Sequence, residues 1–208
     1  TALSAVVSCT ARKAAGAVRP AITVLVVRRD TRLVDSPPYI TKEYLETLHA
    51  MHASHPWGKS GRKFINTILP FYDYLGCKSL LDYGSGAETV RKYLEANRPD
   101  IDVRCYDPGV LGRMAEPEPA DFVVSTDVLE HVEEQFVVDV LKRIYQLANL
   151  GCFLNIALVP AKRVLPDGRN AHITLHPWQW WMNKIKASPW YHVVHDAKRK
   201  HLLVWLVK

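Results

Sequence analysis

The sequence predicts a doubly wound α/β fold, a mostly parallel sheet with helices on both faces, finished by a C-terminal antiparallel hairpin. Three observations carry that reading. From Ser79 onward, short apolar or β-branched runs alternate with helix-period segments. The first of those runs leads directly into a glycine-containing turn, Asp82-Tyr83-Gly84-Ser85-Gly86. The last two runs flank a short polar turn, as a hairpin does.

Taken in order, residues 1–38 read as a basic N-terminal extension and 39–208 as the folded domain. The extension carries Arg12, Lys13, Arg19, Arg28 and Arg29 before its first acid, and the apolar run Ala21–Val27 reads as one strand buried on both faces. An acid-free segment rich in Ala, Ser and Arg also resembles an organelle transit peptide. After Ser36-Pro37-Pro38, Thr41 is placed to cap a helix in which Tyr44, Leu45, Leu48 and Met51 form one apolar stripe, ending before Pro56. A small basic loop, Gly58-Lys59-Ser60-Gly61, precedes a second helix through Phe64, Ile65, Ile68 and Leu69. Strands are then expected at Ser79–Tyr83, Asp102–Tyr106, Phe122–Ser125 and Cys152–Leu158, with helices at Glu88–Asn97, Glu134–Ala148 and Pro177–Lys186. The hairpin is expected from Tyr191–His195 and Leu202–Val207, around a turn at Ala197–Lys200.

At 208 residues, with 48% apolar and 23% charged residues, the chain suits one ordinary globular core. No apolar run is long enough to predict a transmembrane helix. The four cysteines, Cys9, Cys77, Cys105 and Cys152, are widely spaced, which argues against a metal cluster or disulfide framework and for a reducing, cytoplasmic setting. The net charge of +6 is concentrated in the N-terminal segment and in Lys198-Arg199-Lys200, so it fits a nucleic-acid partner as well as solvated basic tails.

Chemistry is expected where the strands end. Glycines at 84 and 86 allow close approach of a ligand to the backbone, and Asp107, 21 residues after Gly86, stands where an acid accepts ribose hydroxyls. The loop lacks the third glycine of the dinucleotide fingerprint and the Lys-Ser/Thr ending of a P-loop. Asp82 would repel a pyrophosphate but suits a ligand bearing ammonium and sulfonium charges. Together with the stretch Asp121-Phe122-Val123-Val124-Ser125-Thr126-Asp127-Val128-Leu129-Glu130-His131-Val132, these residues resemble the class I methyltransferases that use S-adenosylmethionine.

The resemblance implies a Rossmann-like fold and S-adenosylmethionine as cofactor. It implies that Asp82, Tyr83, Gly84, Ser85 and Gly86 wrap the methionine part, that Asp107 and Pro108 hold the ribose end, and that Asp127 and Val128 lie beside the sulfonium. It covers residues 79–158 best and extends to Leu165-Pro166-Asp167-Gly168-Arg169-Asn170-Ala171-His172, which looks like a group of small bacterial and phage-type methyltransferases of largely unassigned substrate. The chain departs from the family between Pro108 and Pro119, where about a dozen residues replace the usual helix and third strand. The third-strand region is therefore expected to be shortened, with the Ala21–Val27 strand as a stand-in at the exposed edge.

On this resemblance His131 is a candidate to orient the substrate or act as base. His172, in the long polar connection after the fifth strand, is a second base candidate, its tautomer set by Asp167 or Asn170. Arg169 and Asn170 are substrate-contact candidates on the same connection. Trp57 and Lys59 are further substrate-contact candidates, Trp57 as part of a lid over the cofactor, whereas Trp178 and Trp181, three apart on a helix, are expected to pack on the sheet. His172 and His176 have zinc-binding spacing for a helix, but Ile173, Thr174 and Pro177 oppose a helix there, and no metal is expected. The activity expected is methyl transfer to oxygen or nitrogen of a nucleic acid or small metabolite. The rivals are an NAD-binding oxidoreductase and a non-catalytic scaffold with the same fold.

Overall fold

The computed structural model describes residues 39–54 and 57–208. The expected N-terminal extension, with its strand at Ala21–Val27, lies outside the described residues. The elements run α1 (Lys42–Ser54), α2 (Ile65–Tyr74), β1 (Ser79–Tyr83), α3 (Thr89–Asn97), β2 (Asp102–Tyr106), β3 (Ala120–Thr126), α4 (Val137–Leu147), β4 (Ala148–Ala157), α5 (Trp178–Ile185), β5 (His192–Ala197) and β6 (His201–Val207). They form one six-stranded sheet in the order β2-β1-β3-β4-β6-β5. The pairs β1–β2, β1–β3 and β3–β4 are parallel, while β6 runs antiparallel to both β4 and β5.

Side chains alternate across the pleat and so build two cores. Leu81, Val123, Leu154 and Ile156 face α4 and α5, where Val140, Leu141, Ile144, Trp181 and Ile185 close the layer. Leu80, Phe122, Val124 and Phe153 face α2 and α3, meeting Ile65, Ile68, Tyr72, Val90 and Leu94. Burial on both faces is why these strands read as continuous apolar runs rather than alternating ones. Trp181 is completely buried and the half-buried Trp178 stacks on His195, so both pack on the sheet as their spacing predicts.

Some boundaries move for local reasons. α3 begins at Thr89 because Glu88 takes a left-handed conformation, φ +57°. The segment Glu134–Phe136 is a 3-10 turn and the α-helix starts at Val137. β4 starts at Ala148 rather than Cys152: its residue caps α4 through Ile144 and enters the sheet without a loop, pairing with Ala120.

The shortened region after β2 is a compact turn. Asp107 N donates to Arg113 O at 3.0 Å and Val110 N to Asp107 O at 3.2 Å. β2 is thus the edge of the sheet among the described residues. No helix among those residues is long and apolar enough to cross a membrane.

Candidate functional site

A cavity of about 960 Å³, counting its open mouth, lies over the carboxyl ends of β1, β2 and β3. Its floor is Tyr83, Gly84, Gly86, Tyr106, Asp107 and Pro108. One wall is Asp127, Val128, His131 and Val132, and its roof comes from Tyr44, Leu48, Met51 and His52 of α1 with Trp57 and Gly58. Parallel strands end here and the chain turns away on either side, so this crevice is where the fold leaves room for a ligand.

The glycine loop is shaped by close approach rather than by flexibility. Gly84 has φ +85°, and a Cβ there would stand 2.3 Å from Val128 Cγ2. Gly86 has φ +46°, and its Cβ would meet Gly58 Cα at 2.5 Å. Ala87 N donates to Gly58 O at 3.2 Å, which ties the Trp57–Gly58 segment onto the loop as a lid.

Asp107 is buried and organises the floor: Oδ2 accepts from Gly86 N at 2.7 Å and Oδ1 from Gly109 N at 2.9 Å. Each carboxylate oxygen keeps a further acceptor site. The turn beyond Asp107 is walled by α1, with His49 Nε2 3.0 Å from Pro108 O and the His52 ring against Gly109. Burial lowers the His52 pKa. Arg113 ties the same turn to the glycine loop, donating to Ser85 Oγ at 3.1 Å and to Gly86 O at 2.5 Å.

Asp82 and Ser85 do not face the main cavity; with Thr89 and Thr126 they line a small hollow beneath the glycine loop. Burial, reinforced by the charge of Asp107, pushes the Asp82 carboxyl up to about 7. The unfolded value is about 3.9. Folding therefore favours the neutral form, and stability is greatest below the unfolded value and falls as pH rises from about 4 to about 7. Asp82→Asn is expected to be more stable than the parent at pH 8 by roughly 2–4 kcal/mol and nearly equal to it at pH 4. Urea unfolding at the two pH values checks this; an equal difference at both would contradict it.

On the opposite wall, Asp127 adopts φ +53°, a conformation that Asp tolerates better than most residues. Its carboxylate accepts from Asn155 Nδ2, while its N–H donates to Asn155 O at 2.9 Å. His131 Nδ1 lies 2.7 Å from Ala171 O, and a carbonyl only accepts, so Nδ1 carries the proton and Nε2 presents a lone pair. Burial, with His172 adding to it, lowers the His131 pKa to about 4.

His172 is held alike by Val159 O at 2.6 Å from its Nδ1. Its tautomer is therefore set by a backbone carbonyl rather than by Asp167 or Asn170. Asp167 is exposed and ion-paired with Arg169 at 2.6 Å, away from the cavity lining. Asn170 shapes its own loop, accepting from Ala161 N and His172 N and donating to Ala161 O. Arg169 is exposed, its guanidinium 5.9 Å from the ring centre of Tyr44. Lys59 is exposed and outside the lining, whereas Trp57 lines the cavity with Arg163 4.7 Å over its ring. His176 pairs with Glu134 at 2.9 Å and stacks on Trp180, and residues 172–176 are not helical.

Sequence reasoning missed the roof. The α1 stripe of Tyr44, Leu48 and Met51 reads as core packing, yet these residues line the cavity, and His49 and His52 on the same helix were the polar signals. Glu133 was also missed: its carboxylate accepts from Thr41 N at 2.8 Å and Thr41 Oγ1 at 3.0 Å, pinning the start of α1 over the site.

No family model matches the sequence, and no curated protein matches it. Solved structures do. A 1,6-didemethyltoxoflavin-N1-methyltransferase from Burkholderia thailandensis, crystallised with 1,6-didemethyltoxoflavin and S-adenosylhomocysteine, is 14% identical with TM-score 0.56, covering 84% of this chain and 93% of that one. The S-adenosylmethionine-dependent methyltransferase SibL is 13% identical with TM-score 0.50, covering 80% of this chain and 68% of its own. The chain spans only 57% of an O-methyltransferase family protein from Burkholderia thailandensis, at 14% identity and TM-score 0.49 over 70% of this chain. The sheet order, the glycine turn after the first strand and the first two of these likenesses agree: this chain has the Rossmann-like fold of the class I methyltransferases.

Proposed function

We propose that the protein transfers the methyl group of S-adenosylmethionine to an oxygen or nitrogen of a small molecule. The observation that carries this is the continuity of the cavity, which runs from the glycine loop and Asp107 to His131 under the roof of α1 and Trp57. The donor would lie along the floor with its ribose at Asp107 and its methyl group toward Asp127 and His131. A chamber roofed by α1 and Trp57 and lined mostly by apolar side chains favours a compact acceptor over a nucleic-acid strand. His131 lines the chamber at the end where that acceptor would sit. Rate enhancement would come chiefly from alignment of the acceptor in line with the departing thioether.

Calorimetry with S-adenosylhomocysteine and with NAD tests the donor. Micromolar binding of S-adenosylhomocysteine and none of NAD is expected; NAD binding alone would overturn the reading. Mass spectrometry of hydroxylated or aminated aromatic compounds, RNA and DNA incubated with S-adenosylmethionine tests the acceptor. A methylated small molecule is expected, and methylation confined to nucleic acid would refute that part.

A further inference from the structure

Three side chains meet at His131, the one of them that lines the cavity. Glu130, His131 and His172 each bring one donor atom within 4.8 Å of the other two. Both imidazoles are oriented by the same device, an Nδ1–H given to a backbone carbonyl, Ala171 for His131 and Val159 for His172. The lone pairs left free are therefore both on Nε2. A metal-ligating histidine is held in just this way, its second nitrogen donating to a carbonyl or carboxylate. The rings meet edge to face, 4.9 Å between centres, so they do not stack on each other.

Glu130 supplies the independent observation. It is completely buried; Oε1 accepts from Ala157 N at 3.1 Å and stands 4.0 Å from His172 Nε2, while Oε2 has no hydrogen-bond partner. A buried carboxylate with an unpartnered oxygen is strongly unfavourable unless a proton or cation compensates it.

We propose that Glu130, His131 and His172 bind a divalent first-row transition ion, such as Zn²⁺, Co²⁺, Fe²⁺ or Mn²⁺, at the acceptor end of the cavity. Two imidazole nitrogens and one carboxylate oxygen match such ions and leave coordination positions open; magnesium and calcium prefer all-oxygen sets. Bonds of about 2.0–2.2 Å require the donor atoms to close in by roughly an ångström on loading. Of the three, His131 lines the cavity, which puts an ion held there next to the acceptor.

The site's use rests on the methyl-transfer reading, though its existence does not. An acceptor hydroxyl bound to the ion loses its proton to solvent more readily. The oxygen then forms a bond to the methyl carbon as the carbon–sulfur bond breaks, its electron pair staying on sulfur. The products are a methyl ether, S-adenosylhomocysteine and one proton.

The test is calorimetric titration of chelator-treated protein with Zn²⁺ or Co²⁺. One ion per chain is expected, bound at least tenfold more weakly by His172→Ala and Glu130→Gln, and unchanged in His176→Ala. In the unaltered protein Mn²⁺ should broaden the imidazole proton signals of His131 and His172 first, a readout that needs no variant to fold. No ion bound, unchanged affinity in folded His172→Ala and Glu130→Gln, or broadening confined to other histidines would overturn the proposal. S-adenosylhomocysteine titrated into the same samples separates the two ideas. Its binding without an ion removes only the metal site, and an ion without its binding removes only the methyl-donor reading.

Discussion

Asp107→Ala is expected to weaken S-adenosylhomocysteine binding by about a hundredfold or more and to lower the melting temperature by roughly 5–10 °C. The carboxylate holds Gly86 N and Gly109 N at 2.7 and 2.9 Å, on the two sides of the floor. Hydrogen bonds to a charged acceptor contribute about 1.5–3 kcal/mol each, and a buried donor left unpaired costs about 1–3 kcal/mol. A loss of even 2.7 kcal/mol is a factor of about a hundred in affinity. Removing the carboxylate frees the glycine loop as well as taking away the proposed ribose acceptor, so binding and stability should fall together. Asp107→Asn keeps one carbonyl oxygen and should lie between the two. Calorimetry and thermal unfolding decide it: an affinity within threefold of the parent would show that Asp107 does not anchor the donor.

The second large effect is expected from a single methyl group at Gly86. Gly86→Ala should destabilise the domain by about 2–4 kcal/mol and weaken S-adenosylhomocysteine binding at least tenfold. The added carbon would lie 2.5 Å from Gly58 Cα and 2.7 Å from Trp57 O, both backbone, and the φ of +46° adds a left-handed cost of about 1–2 kcal/mol. Gly76→Ala is the control, because Gly76 has φ +69° but nothing within 4 Å of the added carbon. The difference between the two variants isolates the close approach of lid and loop. Gly58→Ala offends the same contact from the other side, at 2.6 Å, so the double variant should cost less than the sum of the singles. Denaturant unfolding of the set checks this, and a Gly86→Ala variant no worse than Gly76→Ala would remove the lid from the argument.

Much of the floor was legible in the sequence because it is built from local features. The run Leu80–Leu81 ahead of Gly84 and Gly86 specifies a buried strand and a tight turn, whatever surrounds them. Asp107 follows β2 directly and lies beside that turn because parallel neighbours in register place their ends together, Tyr83 opposite Tyr106. The short gap after Asp107 likewise announced a missing strand. The roof was not legible, since Tyr44, Leu48 and Met51 are spaced as any core-facing helix stripe is, and a stripe does not tell what it covers. Nor were the partners of His172, since backbone carbonyls are supplied by every residue and leave no signature in the sequence.

The sequence by itself thus determined the alternating fold, the glycine turn and the acid at the end of the second strand, all consequences of residue period and local backbone freedom. Only the tertiary structure decided that α1, pinned by Glu133 through Thr41, roofs the site, and that Glu130, His131 and His172 converge while Asp167 and Lys59 stay outside. Chain period sets which face a residue occupies. Which faces meet depends on contacts between segments some 40–90 residues apart, Glu130 with His172 and Thr41 with Glu133, and no local pattern encodes those.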